Sequence, residues 1–132
     1  MINKLFIYGS LLETDNEFGR YLKQYAVYFK PGKFKGKLYD VGEYPGAITY
    51  PAGDYFVHGS IVILNNITEA LKRLDDYEGY GDDQLQPNLF IRKLLTITTD
   101  DKAVKCWVYL YNHQISQLKQ IYSGDYLSYK KA

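Results

Sequence analysis

Several kinds of chemistry are excluded by what the chain lacks. A single cysteine, Cys106, allows no internal disulfide, which points to a reducing compartment and a cytoplasmic protein. Only two histidines are present, His58 and His113, and no His-x-His, Cys-x-x-Cys or His-Glu-x-x-His spacing occurs. No case for zinc, another metal or a bound cofactor follows. Ser10 stands after Tyr8-Gly9 rather than inside the Gly-x-Ser-x-Gly of a nucleophile elbow. Asp82-Asp83 and Asp100-Asp101 lack the spaced oxygens of a calcium loop. No apolar stretch approaches membrane-helix length, and Met1-Ile2-Asn3-Lys4-Leu5 lacks the features of a signal peptide. Charge of one sign is missing too: 16 basic against 15 acidic side chains give a net +1. Nucleic-acid binding needs clustered cations, and the alternating Lys30, Lys33, Lys35 and Lys37 look like one solvated strand face.

What is present is an ordinary globular composition with one oddity. Of 132 residues, 46% are hydrophobic, enough for one domain spanning 1–132 with a core of its own. Fifteen tyrosines suit half-buried strands and a cleft with a wet end. The spacing of Ile67, Leu71, Leu74 and Tyr77 predicts a helix over 67–78, with Asn66 or Thr68 at its start and Gly79 at its stop. A shorter helix is expected between Glu13 and Gln24, capped by Thr14 or Asp15. Strands are expected near 4–8, 56–64, 90–98 and 105–111, the last two joined as a hairpin across Thr99-Asp100-Asp101-Lys102. Ala26-Val27-Tyr28-Phe29 and Lys37 to Val41 read as two further strands, separated by a break or bulge at Pro31-Gly32. Tyr44-Pro45-Gly46 reads as a turn, and Ala47 to Tyr50 as a strand pairing with Tyr55 to Leu64. Gly59 inside that second strand implies a bulge or a close backbone approach. A short amphipathic piece over Gln117 to Tyr122 and a basic tail end the chain. The sum is an α+β fold, a small curled or closed mixed sheet with a few flanking helices.

Two places can carry chemistry. Leu5-Phe6-Ile7 stops abruptly at Tyr8-Gly9-Ser10-Leu11, where the amides leaving the strand either make a tight turn or converge on an anion. Glu78 closes the firm helix at its negative end, which raises a carboxyl pKa toward the range of a general base. Tyr77 and Tyr80 can wall it from water. The competing reading makes Glu78 an exposed residue paired with Lys72 or Arg73. Arg92 divides evenly between a structural ion pair and the pocket, and Tyr111 shares a strand face with Trp107 and Tyr109.

Five motifs then occur in a familiar order: Tyr8-Gly9-Ser10-Leu11, Gly36-Lys37-Leu38-Tyr39 leading to Tyr44-Pro45-Gly46, Val57-His58-Gly59, Leu74-Asp75-Asp76-Tyr77-Glu78-Gly79 and Ser123-Gly124-Asp125-Tyr126. Over essentially the whole chain they resemble the γ-glutamylcyclotransferase-like superfamily, in particular its short, γ-glutamylamine cyclotransferase-like branch. That branch includes bacterial relatives that remove a γ-glutamyl protecting group in antibiotic biosynthesis. Tyr126 stands where relatives more often have Trp, and Ser10 where some have Thr. The resemblance implies a β-barrel-like core, a substrate-binding loop at Tyr8, Gly9, Ser10 and Leu11, and Glu78 as the catalytic acid and base. Beside the resemblance, Arg92 and Tyr111 are secondary pocket candidates. The implied reaction is attack of a substrate's own α-amine on its γ-carbonyl, releasing 5-oxoproline and an amine. The implied partner is a small γ-glutamyl molecule; leaving group and oligomeric state stay open. Two other readings are a non-catalytic amino-acid or amine sensor of the same fold and a tyrosine-rich protein-interaction module.

Overall fold

A computed structural model describes residues 2–9 and 17–131 of the protein. Its elements run β1 (Lys4–Ile7), α1 (Glu17–Tyr25), β2 (Ala26–Asp40), β3 (Pro45–Thr49), β4 (Phe56–Leu64), α2 (Ile67–Glu78), β5 (Phe90–Thr98), β6 (Ala103–Tyr111), β7 (Lys119–Ile121) and α3 (Tyr126–Lys131). The first strand explains the plan. Leu5, Phe6 and Ile7 are all buried, so β1 has no wet face and reads as an unbroken apolar run. It lies antiparallel to β4, with Phe6 opposite Ile61, and parallel to β6, with Leu5 opposite Trp107.

Five strands close on themselves in the order β2-β4-β1-β6-β5, the seam being sealed where Lys33 of β2 meets Thr98 of β5. Alternation along the strands then sorts the core into two layers. Phe6, Phe34, Val57, Ile61, Ile97 and Val108 fill the barrel. Leu5, Ile7, Val62 and Leu64 point outward, beneath Leu22 of α1 and Ala70 and Leu74 of α2. The far half of β2 leaves the barrel and becomes the middle of a three-stranded extension, with β3 on one side and β7 on the other.

The helix over 67–78 is found as expected. Asn66 accepts from Glu69 N at 3.2 Å, and Gly79 ends the helix in the left-handed region at φ 74°. Three expectations are corrected. Residues 26–40 form one continuous strand rather than two. Pro31 sits opposite Ser60 on a stretch paired with β4 alone, the edge position where a proline removes no ladder bond, and the register shift falls between Tyr28 and Lys30 instead. The turn near 44–46 lies earlier, closed by Val41 N donating to Tyr44 O at 3.0 Å, so that Pro45 and Gly46 already belong to β3. And β3 pairs with β2, not β4, because the outgoing end of β2 offers the nearer free edge. Gln117 to Tyr122 supplies β7, and the basic tail is helical, with Asp125 accepting from Ser128 N. The start of α1 expected at Thr14 or Asp15 lies outside the described residues. Among the described residues, no helix is long and apolar enough to cross a membrane.

Candidate active site

The outgoing end of β1 and the last turn of α2 meet over one cleft of about 320 Å³. Tyr8 and Gly9 line one wall, and Tyr77 and Glu78 another. Tyr44 and Pro45, just before and within β3, help complete it, together with Phe90 and Tyr109 of the β5–β6 hairpin. Gly9 faces Pro45 so closely that a Cβ there would stand 2.6 Å from Pro45 Cγ. A side chain at position 9 would therefore collide with Pro45 in the cleft wall.

Glu78 reaches the cleft because α2 lays Ala70, Leu71 and Leu74 against the barrel and so sets the rotation of its last turn. The residue is half-buried, and burial pushes its carboxyl up to about 7. The sequence offered the helix end and walling from water as causes of such a shift; in the structure the cause is burial. Its negative charge contributes to raising the hydroxyl pKa values of Tyr8, Tyr44 and Tyr109, after burial in each case. The alternative pairing with Lys72 or Arg73 is not formed. Arg73 reaches Glu69 at 3.2 Å, and no ion pair to Glu78 exists among the described residues.

A chain of hydrogen bonds fixes the walls. Ala47 N donates to the Tyr8 hydroxyl at 3.2 Å, and that hydroxyl donates to the backbone oxygen of Tyr109. The Tyr109 hydroxyl in turn donates to Asp75 Oδ1 at 2.7 Å, one turn before Glu78 on α2. Asp75 also accepts both arms of Arg92, at 2.7 and 3.0 Å. Arg92 is paired with Asp75, lies over the Trp107 ring at 4.5 Å, and is not among the residues lining the cleft. Tyr111 stands behind the wall, edge-on to Phe90 at 5.7 Å and packed over Gly46. Tyr80 sits over Arg92 instead of the cleft. Ser10 and Leu11 lie outside the described residues.

Sequence reasoning left Glu43, Tyr44, Pro45, Leu89 and Phe90 out of the site. The 15 tyrosines hinted at a cleft, but Tyr44-Pro45 carried only a turn signal. Nothing local shows that β3 folds back beside β1. Chemically, the cleft joins Gly9, at the outgoing end of β1, with a carboxyl that burial raises to about 7. Among the described residues, no group of His, Cys, Asp and Glu side chains is arranged to hold a metal.

Comparison with known proteins gives a consistent result. Residues 5–128 match the family model described as gamma-glutamyl cyclotransferase, AIG2-like. The chain is 30% identical over 129 residues to the gamma-glutamylcyclotransferase family protein YtfP of Escherichia coli K12, covering 97% of this chain and 99% of that one. It is also 30% identical over 112 residues to gamma-L-glutamyl-butirosin B gamma-glutamyl cyclotransferase of Niallia circulans, covering 82% of this chain but 66% of that relative's length. Among solved structures, YtfP from Escherichia coli superposes with a TM-score of 0.67 at 28% identity, covering 96% of this chain and 98% of that one. A mouse AIG2-like protein gives 0.69 at 21% identity, covering 94% of this chain and 87% of that one, a likeness of fold.

Proposed function

Since the chain belongs to the AIG2-like γ-glutamylcyclotransferase family, we propose that it cleaves a small γ-glutamyl amide by intramolecular cyclisation, releasing 5-oxoproline and a free amine. Nucleophile and electrophile are tethered in such a substrate, so the protein's first task is to hold a rotamer in which the α-nitrogen faces the γ-carbonyl carbon. Amides at the turn after Tyr8 hold the α-carboxylate, with Gly9 leaving room for it.

The second task is proton transfer. The α-ammonium loses two protons on its way to the lactam N–H, and the leaving nitrogen gains two on its way to an ammonium. Glu78 carries them in turn. As a carboxylate it takes one to free the attacking lone pair; as a carboxylic acid it returns one when the C–N bond breaks. A carboxyl near pH 7 is poised for both directions. Tyr8 and Tyr109 are poor proton donors here, because burial raises their pKa values and each hydroxyl is already committed to an acceptor.

The observation that carries this reading is the meeting of Glu78 and Gly9 in one cleft. The test is 5-oxoproline release from a panel of γ-glutamyl amines, γ-glutamyl dipeptides and glutathione. Glu78→Gln keeps the shape and loses the proton acceptor, so turnover should fall roughly a hundred- to ten-thousand-fold, with an unchanged circular dichroism spectrum. Full turnover in the variant would end the assignment.

A further inference from the structure

The cleft holds a second carboxylate that the cyclisation does not use. Glu43 lines it from the turn before β3 and is exposed. The turn that presents it is tied down from three directions. Val41 N donates to Tyr44 O at 3.0 Å, Gly42 N donates to Asp40 Oδ1 at 2.8 Å, and the Tyr126 hydroxyl of α3 donates to the Glu43 carbonyl at 3.4 Å. Asp40 is itself held by the Tyr129 hydroxyl at 2.7 Å. Glu43 is therefore an exposed acid on a fixed backbone, not on a loose loop.

The lining favours a cation in the cleft. No Lys, Arg or His is among the lining residues. The arginines of the neighbouring elements are committed, Arg73 to Glu69 and Arg92 to Asp75. Glu43, Tyr44 and Glu78 line the same cleft. Tyr44, Tyr77, Leu89 and Phe90 line the same cleft, which suits a methylene arm and the face-on approach of an ammonium. Glu78 has the substrate's own α-ammonium to deal with. A second positive charge would fall to Glu43.

Resting on the cyclisation reading, we propose that Glu43 selects γ-glutamyl amides whose leaving amine carries a second, distal ammonium, and disfavours leaving groups that are neutral or bear a carboxylate. An exposed carboxylate–ammonium contact of this kind is modest and is screened by salt. The preference should therefore be a matter of severalfold discrimination expressed in KM.

The experiment compares two amides that differ only at the end of the arm, γ-glutamyl-1,4-diaminobutane and γ-glutamyl-n-pentylamine. In the wild-type protein kcat/KM should favour the first by roughly three- to tenfold, and the ratio should shrink as NaCl rises from about 50 mM to about 500 mM. In Glu43→Gln the ratio should approach one, and in Glu43→Lys it should invert. Being a ratio, it is insensitive to how much of a variant folds, and the salt series needs no variant. An equal ratio in wild type and Glu43→Gln, or a wild-type ratio indifferent to salt, overturns this inference and leaves the cyclisation reading standing. Failure of the wild type to release 5-oxoproline from either amide overturns both.

Discussion

Tyr109 joins the two sides of the cleft through different atoms. Its hydroxyl donates to Asp75 on α2 at 2.7 Å, while its backbone oxygen accepts from the Tyr8 hydroxyl on the opposite wall. Asp75 is the heavier member of this link, because it also takes both arms of Arg92, and the two side chains are only 21% and 18% exposed. Removing a hydroxyl from one hydrogen bond costs about 1 kcal/mol. Removing the acid strands a half-buried guanidinium and costs about 3 kcal/mol. Urea unfolding should thus rank Asp75→Ala well below Tyr109→Phe in stability. The reverse order would mean that Arg92 finds another partner and that Asp75 is not what anchors the end of α2.

A second consequence concerns the pairing of β1 with β4. A Cβ on Gly59 would stand 2.2 Å from the Ile7 backbone oxygen and 2.8 Å from the Phe6 ring. The obstacle is ladder backbone, which cannot yield as a side-chain tip does. Gly59→Ala should cost about 2–3 kcal/mol, a large share of the stability of a domain this size. A melting temperature within about 2 °C of wild type would show that β1 shifts freely, and with it the turn at Gly9.

How far the sequence reached depended on the range of the signal. The helix Ile67–Glu78 and strands Phe56–Leu64 and Phe90–Thr98 were legible because periodicity and caps are local. Gly59 was legible as a bulge or a close approach, though not which of the two, nor what approaches it. Pro31-Gly32 was misread because its meaning depends on whether the strand has a partner on both sides, which is a tertiary fact. Pairing β3 with β4 followed from nearness in the chain, whereas the extended end of β2 captured β3 instead. The site divides the same way. Glu78 and the turn at Gly9 each had a local oddity. Their meeting, and the roles of Tyr44 and Tyr109 between them, come from barrel closure, and only the family resemblance anticipated the first.

Glu78 should also leave a mark on stability against pH, with a sign fixed by its burial. Its ordinary pKa is 4.5 and its folded value is about 7. Below about pH 4.5 the carboxyl is protonated in both states and has no effect. Between the two values the unfolded chain releases the proton while the folded protein keeps it, so stability falls as pH rises. Above about pH 7 both states are ionised and the loss is complete, amounting to about 3 kcal/mol at roughly 1.4 kcal/mol per unit. Glu78→Gln cannot titrate, so its stability relative to wild type should be about 3 kcal/mol greater near pH 8 than near pH 4. Asp40, whose pKa is held low by the Tyr129 hydroxyl and then by Gly42 N–H, gives the opposite slope, but it does so in both proteins and cancels in the difference. Under the proposed reaction, kcat/KM should rise with pH through the same window, since only the carboxylate accepts the ammonium proton. Urea unfolding of both proteins across about pH 4 to 8 measures the difference directly. Parallel curves would mean that Glu78 is solvated in the folded protein, and a solvated carboxylate at that position would remove the physical basis for its role in proton transfer.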